Sequence, residues 1–332
     1  MEHKHSDNEQ VNFERLKPRI ITAHNHLKEE LLNQWIECLE KWNRNVLIMA
    51  TGGSKVVANF LQKILEENGV LSTVIEPRDL NYSNHINQYD HLVIVSYSGT
   101  TNGVLSAIEK FRGKKYLITG NNIQYPNTET ISYQELMPDK ERSFISLAST
   151  LVPATLWMDA AKALSGEYNH EQMKEIIDQS IDSAKEYSEK QRDFAQIDGL
   201  EILSGVDTLV PASTLESNLI ETGTMPVIVH DKGAYCHGRS TLAYHYRNHA
   251  NLYITREESE LDRVLKNIIK EELPNFLEMN SSSRDAIISQ YELLLKAMYL
   301  SRKICTDKGI DPCQPEYNPK IIKKIYKYRG EM

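Results

Sequence analysis

Several features that would place a chain in a specialised class are scarce or missing here. Cysteine is rare: four residues in 332, at positions 38, 236, 305 and 313, with neither metal-knuckle spacing nor a disulfide framework. No stretch approaches the about 20 apolar residues of a membrane-spanning helix. There is no excess of basic charge. Lys and Arg number 38 against 46 Asp and Glu, a formal charge of -8, so a broad nucleic-acid surface is not expected. Met1-Glu2-His3-Lys4-His5-Ser6-Asp7 lacks the apolar stretch of a secretory leader. The common nucleotide loops are missing as well. Thr51-Gly52-Gly53-Ser54-Lys55 has neither the G-x-x-x-x-G-K-[ST] nor the G-x-G-x-x-G spacing. These absences point to a reduced, cytoplasmic protein with no membrane or nucleic-acid partner.

What remains is enough to build a sizeable core: 40% of residues are hydrophobic and 25% charged. Val46 to Ala50 is wholly apolar, as a buried parallel strand would be. Lys55 to Asn68 reads as a helix closed at Gly69, and Leu71 to Ile75, Leu92 to Val95 and Lys115 to Thr119 read as further strands. Residues 1–20 read as a polar lead-in, followed by one helix over 23–43. Phe144 to Leu164 and His170 to Gln196 read as long helices. A second unit then begins near Ile197. It has strands at Val206–Val210, Pro226–Val229 and Ala250–Thr255, a turn at Pro211–Thr214, and helices at Leu215–Glu221, Glu257–Glu272 and Asp285–Lys308. The fold class is α/β: two similar lobes, each a mostly parallel sheet flanked by helices. Their expected limits are 23–196 and 197–311, with residues 312–332 as a tail contributing to the site.

The densest chemistry is Ser96-Tyr97-Ser98-Gly99-Thr100-Thr101, directly after an apolar strand and before a helix. Backbone N–H groups at a helix start face bound negative charge, and hydroxyls add donors. Serines and threonines there are often only caps. Ser54, at the end of the first strand, is a second hydroxyl in an equivalent place, and ligands of open α/β sheets lie outside such strand ends. A small phosphate ester suits this cradle better than ATP or NAD.

These residues resemble the S-x-S-G-x-T signature of the sugar isomerase (SIS) domain family, and Thr51-Gly52-Gly53-Ser54 resembles that family's first glycine-serine turn. The two-lobe order is similar to the isomerase half of glucosamine-6-phosphate synthase, which holds two such domains in tandem; the resemblance covers roughly residues 30–325. It implies that the sugar phosphate is held by Ser54, Ser96, Tyr97, Ser98 and Thr101, with Gly53 and Gly99 shaping the turns. Tyr97 stands where the synthase has glutamine and offers mainly its N–H. It implies three catalytic residues. Glu221 lies sixteen positions before His237, as in the synthase, and Lys320 falls five residues after Pro315 in a matching tail. Arg239 replaces the proline of the family's His-Gly-Pro turn. A homodimer is implied too, with the His-Gly turn completing a neighbour's site.

Such a trio suits aldose–ketose isomerisation. Glutamate can move a proton between adjacent carbons, histidine can serve the ring oxygen, and lysine can form an imine or steady an enediolate. The same parts could hydrolyse a fructosamine 6-phosphate, so isomerase and deglycase both stand. The alternative is a non-catalytic phosphosugar sensor, which needs the cradle but not the trio. Taken singly, Glu221 reads as a solvated charge, His237 as a turn residue and Lys320 as part of a basic arm with Lys323, Lys324, Lys327 and Arg329. Glu216 is the rival of Glu221, turned about 140° further round the same helix. Arg239 and Arg247 could neutralise phosphate or serve an interface. The crowd of His237, Tyr244, His245, Tyr246, Arg247 and His249 lacks a carboxylate to complete a ligand motif, so no metal and no cofactor are expected. Asp79 and His85 fall in a loop after the second strand.

Overall fold

The computed structural model describes residues 12–81, 86–137, 141 and 143–321. His85, Lys323, Lys324, Lys327 and Arg329, and the side chain of Tyr244, lie outside the described residues. The chain divides into two compact units, one built mainly from residues 13–142 and 146–177, the other from 178–316.

The first unit holds a five-stranded parallel sheet in the order β2-β1-β3-β4-β5. Its strands are β1 (Val46–Met49), β2 (Ser72–Ile75), β3 (His91–Val95), β4 (Lys114–Thr119) and β5 (Thr128–Ser132). β1 and β3 are buried along their whole length, which is why both read as unbroken apolar runs. Helix α1 (Leu16–Asn25) buries Leu16 and Ile20 inside the stretch expected to be a polar lead-in. The chain then turns, and α2 (Glu29–Lys41) begins, so the expected single helix over 23–43 is two. α3 (Gly53–Glu67) and α4 (Asn102–Lys110) follow β1 and β3, and α5 (Ala148–Leu164) is almost wholly buried. All three tryptophans pack here. Trp35 of α2 meets Trp157 of α5 at 4.1 Å between ring centroids, and Trp42 meets Trp157 at 5.5 Å.

α6 (His170–Glu189) leads to the second unit. Its four parallel strands run β7-β6-β8-β9, with β6 (Gly199–Ser204), β7 (Val227–Asp231), β8 (His249–Thr255) and β9 (Phe276–Asn280). Relabelled from its own first strand, this is the same 2-1-3-4 order as the first sheet without a fifth strand. α7 (Leu209–Glu221) and the long α9 (Ala286–Asp307) cover one face, and α8 (Glu260–Glu272) packs on Tyr253 and Leu203 at the other.

Two expectations fail in this unit. Val206–Val210 is not a strand; it is a short 3-10 turn running into α7, and the strand is β6, just upstream. Pro211–Thr214 is not a turn but part of α7. Pro211 is the third helical residue, within the first turn, where a missing N–H costs no intrahelical bond.

Candidate functional site

β1 and β3 are neighbours in register, Met49 opposite Ile94. The turn after β1 and the loop after β3 therefore lie side by side, at the point where the sheet order changes direction. Open sheets of order 2-1-3-4-5 bind ligands at this switch point. A cavity of about 230 Å³ opens there, lined by Ser54, Ser96, Tyr97, Ser98 and Thr101 together with Gly53. With Thr51, which also lines it, the structure brings six hydroxyl-bearing residues from two turns to one pocket.

The loop geometry explains why. The carbonyl oxygens of Tyr97, Ser98 and Gly99 accept from Thr119 Oγ1 at 3.0 Å, Asn121 Nδ2 at 2.9 Å and the Tyr125 hydroxyl at 2.9 Å. None of those partners lines the pocket. Three successive carbonyls are tied to the β4 side, away from where an anion would sit. Gly99 has φ +67°, and a Cβ on it would come within 3.0 Å of Ile123 and Thr119, so only glycine makes this bend cheaply. Ser96 Oγ accepts the Gly99 N–H at 3.2 Å, and Ser98 Oγ accepts that of Thr100 at 3.4 Å, which orients both hydroxyls. Thr101 occupies the N-cap of α4, yet its hydroxyl makes no capping hydrogen bond. α3 and α4 both start at the pocket, and neither has an acidic residue in its first turn to compete with a ligand. The Tyr97 phenol is half-buried, its ring lying where a Cβ on Gly120 would otherwise be, and burial raises its pKa.

Sequence reasoning missed two residues here. Ser146 lines the same cavity, and a Cβ on Gly53 would collide with its Oγ, so that glycine is set by close approach. Glu141 accepts from the N–H groups of Leu147 at 3.2 Å, Ala148 at 2.5 Å and Ser149 at 3.3 Å, and from the Ser149 hydroxyl at 2.5 Å. It caps α5 and leaves that third helix start already neutralised. The available signal was Ser146-Leu147-Ala148-Ser149-Thr150, another hydroxyl-rich entry to an apolar helix.

The other expected residues are placed as follows. Glu216 and Glu221 are both exposed on α7, and Glu221 Oε1 accepts from Ser217 Oγ at 2.7 Å. His237, Gly238 and Arg239 are exposed in a wide turn over Tyr235–Arg239, where Gly238 takes φ +102°. All five belong to the second unit, whereas Lys320 and the cradle belong to the first. Lys320 is exposed, its backbone N–H bonded to Asn318 Oδ1 at 3.0 Å. No group of three or more His, Cys, Asp or Glu among the described residues is arranged to hold a metal ion. No helix of the described residues is long and apolar enough to cross a membrane.

No protein-family model and no curated protein matches this chain. Solved structures do. The C-terminal domain of glucosamine-fructose-6-phosphate aminotransferase from Francisella tularensis aligns with a TM-score of 0.68 at 12% identity, over 93% of this chain and 98% of that one. Tagatose-6-phosphate ketose/aldose isomerase from Escherichia coli gives 0.67 at 13% identity, over 93% and 95%. Glucosamine-6-phosphate deaminase from Thermotoga maritima gives 0.66 at 18%, over 91% and 98%. At these identities the likeness is one of fold, and it extends over nearly the whole of each chain.

Proposed function

For a chain with the tandem sugar isomerase fold, we propose that the first unit binds a sugar phosphate by its phosphate group and that the protein acts on it as an aldose–ketose isomerase or a deglycase. One observation carries this reading: two hydroxyl-bearing turns meet in one pocket at the β1/β3 switch point, with two helix starts behind them. The similar solved proteins are named for sugar phosphates of this size, which supports the substrate class.

The phosphate is held by Ser54, Ser96, Ser98, Thr101 and the backbone of Tyr97. Glu221 takes the proton from the carbon beside the carbonyl and returns it to the neighbouring carbon, through an enediolate. His237 moves the proton of the ring oxygen during opening. Lys320 steadies the enediolate oxygen, or condenses with the carbonyl and releases water. In deglycation the same proton shift converts the ketoamine to an imine at the carbon that bears the amine, water adds to that carbon, and the amine leaves to give the aldose phosphate. The lobes over 23–196 and 197–311, the tail over 312–332, a cytoplasmic homodimer and the absence of a cofactor belong to the same reading.

The test is to incubate the protein with aldose, ketose and fructosamine phosphates and to identify products. Conversion by the wild type that His237→Ala abolishes, with ligand binding retained, is the expected result. Binding without conversion would leave the sensor reading in its place, and no binding would overturn both. Borohydride trapping with a ketose phosphate separates the two roles of Lys320, since only an imine leaves a label.

A further inference from the structure

Glu201 is the anomaly of the second sheet. It lies in the central strand and is fully buried, and both its oxygens lack a hydrogen-bond partner. Burying a carboxylate without compensation is costly. Two imidazoles approach its oxygens. His230 Nε2 on β7 is 3.3 Å from Oε2, and His249 Nδ1 on β8 is 3.4 Å from Oε1. Both imidazoles are themselves buried. They are the diagonal cross-strand neighbours of Glu201, since its direct partners are Ile228 and Asn251. Space for one of them is built in: His249 pairs with Gly199, and a Cβ there would lie 2.6 Å from His249 Nε2.

The position of these two histidines in the chain gives the cluster a meaning. His230 is the last buried residue of β7 before the chain leaves the sheet, and His249 is the first residue of β8 on its return. Between them runs the 231–248 segment, which carries His237, Gly238 and Arg239. Tyr235, buried two residues before His237, packs edge-on against His230 at 5.3 Å, and Tyr246 stacks on His249 at 4.7 Å. One carboxylate therefore touches both ends of the segment, and each contact is extended into it by an aromatic ring. Lys232 is held separately, by Asp262 at 2.7 Å.

We propose that Glu201 is a positioning residue that clamps both ends of the 231–248 segment through His230 and His249, and so fixes where His237 stands. The consequence for turnover rests on the function proposed above; the clamp itself does not.

Amide hydrogen exchange read by mass spectrometry tests it on the full chain. In Glu201→Gln, exchange over 232–248 should rise by about tenfold or more while α9 keeps the wild-type rate. His230→Gln should accelerate chiefly the first half of the segment and His249→Gln chiefly the second, and these single variants decide the matter if Glu201→Gln does not fold. Unchanged exchange, or equal acceleration throughout the second unit in every variant, would overturn the clamp. With a substrate in hand, Glu201→Gln should lower kcat by about tenfold and leave KM within about twofold, because the phosphate is held elsewhere. A matching loss in KM alone would also count against it. A protein whose segment loosens as expected but which turns over no sugar phosphate keeps the clamp and loses the proposed reaction.

Discussion

The two sheets share a strand order and differ in what they place at their ends and centres. In the first, the central strands are apolar apart from His91 at the start of β3, and the hydroxyls are gathered just beyond β1 and β3. In the second, the turn after β6 presents Asp207 beside Gly205, and the chain after β8 runs Arg256-Glu257-Glu258. One sheet end carries hydroxyls and two helix starts, and the other carries Asp207 and the charged run Arg256-Glu257-Glu258. Charge is distributed differently too. The first unit keeps its buried pair off the sheet: His24 Nδ1 meets Asp159 Oδ2 at 2.8 Å, with both side chains fully buried between α1 and α5. The second unit puts a carboxylate in its central strand. The same topology thus carries a hydroxyl-lined strand end in one unit and a buried carboxyl group between two imidazoles in the other, and function is to be sought in the site rather than the fold.

The largest effect is expected from His24→Ala. It strands Asp159, whose second oxygen is already without a hydrogen bond, and should cost the first unit about 3–5 kcal/mol in chemical denaturation. Burial disfavours the imidazolium, but the Asp159 contacts outweigh it and raise the His24 pKa. The stability contributed by that shift is complete below the ordinary histidine pKa of 6.5 and is lost as pH rises through the folded value. Titrating denaturation midpoints upward from pH 6 checks the sign.

Next comes Gly53→Ala. Its new methyl would meet Ser146, and the resulting displacement should cost about 1–3 kcal/mol and weaken phosphate-ester binding. Gly205→Ala, in the turn after β6 of the second unit, should leave that binding unchanged. If the two behave alike, the two strand ends are not functionally distinct.

The smallest expected effect concerns the second unit in acid. Burial works against ionised Asp262, but hydrogen bonds from Lys232, Ser259 and Tyr253 prevail and hold its carboxyl well below the usual range. A depressed carboxylate stabilises above its ordinary pKa of 3.8 and loses that contribution as pH falls further. Because the group is partly exposed, Asp262→Asn should cost only about 1 kcal/mol at neutral pH, and the difference from wild type should shrink towards pH 2.

Most of the first unit was legible because β1 and β3 are buried along their whole length and read as apolar runs, with turn glycines nearby, whereas the partly exposed edge strand β5 carries no such run and was not foreseen. The second unit was less so, for one physical reason at two places. Glu201 interrupts β6, so an apolar run is never seen, and the β-branched Val206 and Val210 downstream mimic the missing strand. Pro211 then looks like a turn, although the first helical turn tolerates proline. The cradle was readable because its hydroxyls are contiguous in sequence. Ser146 and Glu141 were not, because only tertiary packing brings them to Gly53 and to the start of α5.

If the proposed function holds, the β1/β3 strand ends, and not their counterparts in the second unit, bind a sugar phosphate. Calorimetric titration of a hexose 6-phosphate into wild type, Ser98→Ala and Thr208→Ala tests it directly. Saturable binding to wild type is expected, with affinity about tenfold weaker in Ser98→Ala for the loss of one hydrogen bond to a charged group and no change in Thr208→Ala. Equal affinity in all three proteins would contradict it.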